Sequence, residues 1–156
     1  MKQLLVMLLL AAGCATAASD HGRAEKTMTT VRGEFEVTLT PQAPDPTRPW
    51  SPGRMLIDKK FRGGLEGTSS GEMLAVRTGV EGSAGYVAME RVTGTLEGRS
   101  GSFALQHSGT MTRGTPSLSV TVVPDSGTGE LEGISGAMTI DVTGGKHAYT
   151  FSYRLP

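Results

Sequence analysis

Lys146-His147-Ala148-Tyr149-Thr150-Phe151-Ser152-Tyr153-Arg154 decides the fold. His147, Tyr149, Phe151 and Tyr153 fall on one face of an extended chain, and Ala148, Thr150, Ser152 and Arg154 on the other. A period of two over nine residues is the mark of a strand with one buried side. The same alternation appears at the start of the domain, where Val31, Gly33, Phe35, Val37 and Leu39 interleave with Arg32, Glu34, Glu36 and Thr38. Pro41 stops that strand, and five prolines within 41–53 make an irregular loop. Met55, Ile57, Lys59 and Phe61 then alternate with Leu56, Asp58 and Lys60. Further strands are expected at about 64–78, 83–92, 101–112, 117–123, 127–133 and 136–142. Short strands at spacings of about 8–12 residues point to a sandwich or barrel. No stretch after residue 20 has the periodicity of an amphipathic helix. The predicted class is all-β, a small antiparallel barrel of about eight strands.

A motif recurs inside this pattern. Gly64-Leu65-Glu66-Gly67-Thr68-Ser69, Thr95-Leu96-Glu97-Gly98-Arg99-Ser100 and Glu130-Leu131-Glu132-Gly133-Ile134-Ser135 share L-E-G-x-S. Each Leu is expected to be buried and each Glu to point away, with the glycines supplying the bends or bulges a closing barrel needs. A ring formed by Glu66, Glu97 and Glu132 around a cation is the functional alternative, and glycine-flanked strand ends explain the pattern without one.

Three stretches together carry a resemblance: Phe61-Arg62-Gly63-Gly64-Leu65-Glu66-Gly67-Thr68-Ser69, the run from Glu90 through Thr95-Leu96-Glu97-Gly98 to Gln106-His107-Ser108-Gly109, and Pro124-Asp125-Ser126-Gly127-Thr128-Gly129-Glu130-Leu131. Over about 30–156 the chain resembles a bacterial domain-of-unknown-function family whose members look like the allene oxide cyclase barrel, a fold shared with dirigent proteins. The resemblance implies an antiparallel barrel of about eight strands with an interior that could hold a small lipophilic molecule. It implies no activity, because a fold hosts many functions, and no catalytic residue of the cyclases has a counterpart here.

Composition narrows the function classes. A chain of 156 residues fits one domain. Its 15 basic and 15 acidic residues cancel and are interspersed, so the basic stripe of a nucleic-acid binder is missing. The single cysteine, Cys14, precedes the domain, which therefore folds without an internal disulfide.

The first seventeen residues read as an address. Lys2 precedes the apolar run Leu4–Ala12, which is shorter than the ~20 residues a membrane span needs. Leu10-Ala11-Ala12-Gly13-Cys14 resembles a lipobox in which Cys14 is lipidated, while Ala15-Thr16-Ala17 offers an ordinary signal-peptidase site. The expected organisation is a signal peptide over 1–17, a polar tether over 18–29 and a β-barrel domain over 30–156. The expected location is the cell envelope, lipid-anchored (at the outer membrane if the host has one), or the periplasm or exterior if cleavage follows Ala17.

Strand parity suggests where chemistry could sit. Tyr86, Ala88, Glu90 and Val92 share one face, as do Phe103, Leu105, His107, Gly109 and Met111. His107 in an apolar row is either a buried histidine satisfied by a polar neighbour or a general acid/base partnered by Glu90 or Tyr86. An inward Glu90 should have a raised pKa unless Arg91, Arg77 or another cation compensates. Glu90 and His107 are the candidate catalytic residues, and Tyr86, Phe103, Leu105 and Tyr149 the candidate ligand-binding ones. Gly67-Thr68-Ser69-Ser70-Gly71 matches G-x-S-x-G, yet the strand-to-helix turn of a nucleophile elbow is not expected. His107 and His147 lack the spacing of a zinc site, and Gly127-Thr128-Gly129 lacks the βαβ setting of a dinucleotide fingerprint, so no metal or cofactor is expected. Three functions follow from this reading: a small lipophilic-ligand binding module, a structural or interaction protein of the envelope with a possible homo-oligomeric interface, and an isomerase- or cyclase-like enzyme using His107 and Glu90.

Overall fold

The computed structural model describes residues 27–156; the leader, its cysteine and most of the tether lie outside the described residues. The chain forms β1 (Thr29–Pro41), β2 (Gly53–Gly63), β3 (Leu65–Arg77), β4 (Ala84–Leu96), β5 (Arg99–Thr112), β6 (Thr115–Val122), the two-residue β7 (Thr128–Gly129), β8 (Ser135–Thr143) and β9 (Lys146–Arg154). Every pairing is antiparallel. Following the hydrogen bonds from β1 through β2, β3, β4, β5, β6, β8 and β9 returns to β1, so eight long strands close an antiparallel barrel. The alternation legible in the sequence is the alternation of the wall, apolar inward and polar outward.

Two-residue hairpin turns join β4 to β5 and β5 to β6. Their central residues, Glu97-Gly98 and Arg113-Gly114, all have positive φ, the backbone twist that matches the right-handed twist of the flanking strands. The expected strand over 127–133 is a correction. Only Thr128 and Gly129 pair, with Ser102 and Gly101 of β5, and the chain then turns repeatedly to residue 133. Apolar Leu131 and Ile134 in this segment are not alternate members of a strand. They are fully buried and plug one end of the barrel.

That end is sealed. Phe61, Leu65, Leu96, Phe103 and Phe151 pack there with Leu131 and Ile134, all essentially without solvent contact. Phe103 and Phe151 stack at 5.6 Å, and Phe61 meets Tyr149 edge-on at 5.7 Å, geometries that ring quadrupoles favour. The Tyr149 hydroxyl accepts the Leu65 N–H at 2.9 Å and lies 3.2 Å from the carbonyls of Arg62 and Leu65, tying β9 to the turn between β2 and β3. As expected, Leu65, Leu96 and Leu131 of the repeated motif are buried, and Glu66, Glu97 and Glu132 are exposed.

The opposite end carries the 42–52 loop, the 78–83 turn and the hairpins at 113–114 and 144–145. No plug covers it. Leu39, Met111, Leu118 and Val142 belong to the inward rows, yet they are 47%, 42%, 42% and 60% exposed. Beyond Phe35, β1 has no partner on its β9 side, and the notch left there is a cleft of about 380 Å³ whose lining includes Phe35, Val37 and His147.

Candidate functional site

Between the sealed end and the open one, the inward rows of four successive strands each contribute one polar side chain: Lys59 from β2, Ser69 from β3, Glu90 from β4 and His107 from β5. Register brings them together. Lys59 is the direct cross-strand partner of Ser69, Glu90 stands opposite Gly71, and His107 stands opposite Ala88, two residues before Glu90 on β4. A Cβ at Gly71 would collide with the Met89 carbonyl and with Cα and Cβ of Glu90, so the wall at this point is closed to any larger residue.

Glu90 is the hub. Its Oε1 accepts from Lys59 Nζ at 2.7 Å and lies 2.8 Å from His107 Nε2, while its Oε2 accepts from the Ser69 hydroxyl at 2.7 Å. The Glu90 side chain is completely buried, and those of Lys59 and His107 nearly so. Burial pushes the Glu90 carboxyl up, but the hydrogen bond with His107, the charge and hydrogen bond of Lys59 and the Ser69 hydroxyl outweigh it and hold the pKa down to about 2. The cation compensating Glu90 is thus Lys59, not Arg91 or Arg77. Arg91 faces outward and donates to the Ser102 hydroxyl at 2.7 Å. Lys59 also lies 4.8 Å from the centre of the Phe35 ring and 5.9 Å from that of Phe61, where the ring faces stabilise a desolvated ammonium.

The expected pairing of His107 with Glu90 is therefore present. Tyr86 is near enough to Glu90 for the carboxylate to help raise its phenol pKa, after burial as the larger cause. Its ring lies against Gly109 and it makes no hydrogen bond to the cluster. Phe103 and Leu105 sit fully buried in the packed core, and Tyr149 holds a turn through its hydroxyl. None of those three borders the open end. Sequence reasoning missed Lys59 and Ser69. Lys59 was legible as the one charge on the otherwise apolar row Met55, Ile57, Phe61. Ser69 was visible only as the serine of the repeated L-E-G-x-S motif and of the G-x-S-x-G match, which lies entirely within β3, and neither pointed to Glu90.

The family model described as "Protein of unknown function (DUF3224)" matches residues 31–153, nearly the whole barrel. The chain belongs to the DUF3224 family. A crystal structure of a DUF3224 protein of unknown function from Shewanella oneidensis MR-1 is 51% identical, over 83% of this chain and 99% of the solved one, with a TM-score of 0.77. No curated protein matches the chain. The DUF3224 relationship supports the β-barrel and carries no activity with it.

Proposed function

We propose that this DUF3224 protein is a binding module that takes a small lipophilic molecule into the open end of its barrel. The observation that carries the reading is the exposure of Leu39, Met111, Leu118 and Val142 on rows that point inward. Side chains that face a barrel axis and still meet solvent form an apolar mouth, and exposed apolar surface at a barrel opening is where such folds take ligands. The resemblance of the sequence to the allene oxide cyclase barrel, if carried over, implies an interior of the same kind. The test is titration with N-phenylnaphthylamine, a neutral probe that fluoresces in apolar surroundings. Binding is expected to be saturable and to be lost in Met111→Glu, which places a charge in the mouth while altering a position that is already half exposed. Uptake that is unsaturable, or unchanged by Met111→Glu, counts against the reading.

A second reading is favoured by one contact. A carboxylate hydrogen-bonded to an imidazole is the pairing that orients a histidine for proton transfer, so an isomerase- or cyclase-like step on the bound molecule is compatible with Glu90 and His107. Turnover abolished in His107→Gln with ligand affinity retained would establish it; retained turnover would end it.

The address read from residues 1–17 belongs to the same proposal: export to the cell envelope with Cys14 lipidated. Labelling of wild-type cells by a palmitate analogue, absent in Cys14→Ser, is the expected result, and label persisting in the variant would refute it.

A further inference from the structure

We propose that the ligand of the barrel mouth carries a hydroxyl, or an equivalent neutral hydrogen-bond donor, on an apolar body, and that this group docks on Nδ1 of His107. The proposal rests on the mouth being a ligand site and specifies the chemistry of its floor.

The argument begins with Glu90. Its carboxylate is ionised and so only accepts hydrogen bonds. At 2.8 Å from Oε1, Nε2 of His107 must therefore be the donor. With Lys59 and Glu90 already cancelling each other's charge, a neutral imidazole keeps the buried cluster balanced, whereas a protonated ring would add an uncompensated buried charge. A neutral ring whose proton is on Nε2 has a lone pair on Nδ1.

That lone pair has no partner among the described residues, where the hydrogen bond of His107 runs through Nε2. Among the described residues no buried side-chain nitrogen or oxygen lacks a partner. Nδ1 consequently touches accessible space, although the side chain as a whole is only 4% exposed. Glu90, which takes Nε2, stands opposite Leu105, nearer the filled end than His107, so we assign this space to the side of the mouth.

The other polar atoms of the cluster have their partners in Glu90. Lys59 Nζ and the Ser69 hydroxyl both donate to it, and the carboxylate itself is sealed. Nδ1 is the cluster nitrogen left to accept from an incoming molecule.

The mouth is also poorly suited to an anion. Above the cluster the inward rows hold Leu39, Met55, Met73, Tyr86, Met111 and Leu118, and the basic side chains there are His147, stacked on Phe35, and Arg77 at the exposed end of β3. Lys60 and Arg62 at the notch belong to the outward row of β2, where Arg62 pairs with Glu36 at 3.3 Å. A carboxylate entering the barrel would meet the Nδ1 lone pair and the field of Glu90, and the ammonium of Lys59 is already paired with Glu90.

Calorimetric titration of the purified protein with naphthalene, naphthol and naphthoate separates the possibilities, because the three share one apolar body. The expected result is naphthol binding about five- to tenfold more tightly than naphthalene, the worth of one neutral hydrogen bond, with naphthoate weaker than both. In His107→Phe the ratio of naphthol to naphthalene affinity is expected to fall to about one. If naphthoate binds most tightly, if naphthol is no better than naphthalene, or if its advantage survives in His107→Phe, the assignment to Nδ1 is wrong and the mouth remains a binding site. If none of the three compounds binds and N-phenylnaphthylamine is not taken up, the binding reading itself falls. The comparison among compounds on the wild-type protein stands even if the His107 variant does not fold.

Discussion

Lys59 and Glu90 are each untenable alone in this interior. A buried charge that loses its partner costs about 3–5 kcal/mol, whereas replacing both members by uncharged groups of similar size is often nearly neutral. Lys59→Met and Glu90→Gln are each expected to destabilise the barrel by about 3 kcal/mol, and the double variant by less than the sum of the two. Urea denaturation of the four proteins measures the coupling; strict additivity would mean that the 2.7 Å contact contributes nothing. The same residue sets an acid limit. The Glu90 carboxyl titrates near 2 in the folded barrel against an ordinary value of 4.5, so the unfolded chain takes up its proton first as pH falls. Its contribution is present above about pH 5 and is lost between there and about pH 2, a change of about 3 kcal/mol. Glu90→Gln should flatten that part of the stability profile. At this scale the sequence was only partly legible. Parity put Glu90 and His107 on inward rows, but Lys59 is 31 residues from Glu90, and only the strand register reveals that they meet.

Elements show where alternation suffices as a guide and where it does not. β9 is read directly from its four inward aromatic and imidazole rings, and β1 and β3 nearly so. β4 runs on to Leu96, beyond the expected end at residue 92, because Thr93, Gly94 and Thr95 continue the ladder into the Glu97-Gly98 hairpin. Residues 127–133 mislead for the opposite reason. Their apolar Leu131 serves a plug, and period-two counting cannot distinguish a plug from a strand. The glycines near the sealed end have a purpose visible only in register: Gly67, Gly94, Gly101 and Gly129 are successive cross-strand partners over β3, β4, β5 and β7. A Cβ at Gly94 would strike the Glu66 carbonyl and Cα of Gly67 at 2.7 Å, both backbone. Gly94→Ala is therefore expected to cost about 3 kcal/mol or to prevent folding. Gly53→Ala, whose Cβ would have its nearest neighbour at 3.5 Å, should change stability by less than about 0.5 kcal/mol. Equal effects of the two substitutions, measured by thermal unfolding, would contradict this account of the bend.

The whole molecule is a cylinder with unlike ends. One is stoppered by Leu131, Ile134 and the ring stack of Phe103 with Phe151; the other leaves inward apolar side chains in solvent above a charge-balanced floor. The outer wall has its own apolar stripe, with Leu74 paired to Val87 and Met89 next along β4, so an apolar probe has two surfaces to choose between. Methionines mark both. Met55, Met73 and Met111 lie on inward rows at the mouth, Met138 in the packed core and Met89 on the outer stripe. Methionine-methyl NMR during titration with N-phenylnaphthylamine tests the mouth most directly. Saturable shifts at Met55, Met73 and Met111, with Met89 and Met138 unmoved, are the predicted result. Shifts confined to Met89 would put the molecule on the outside of the wall and contradict it.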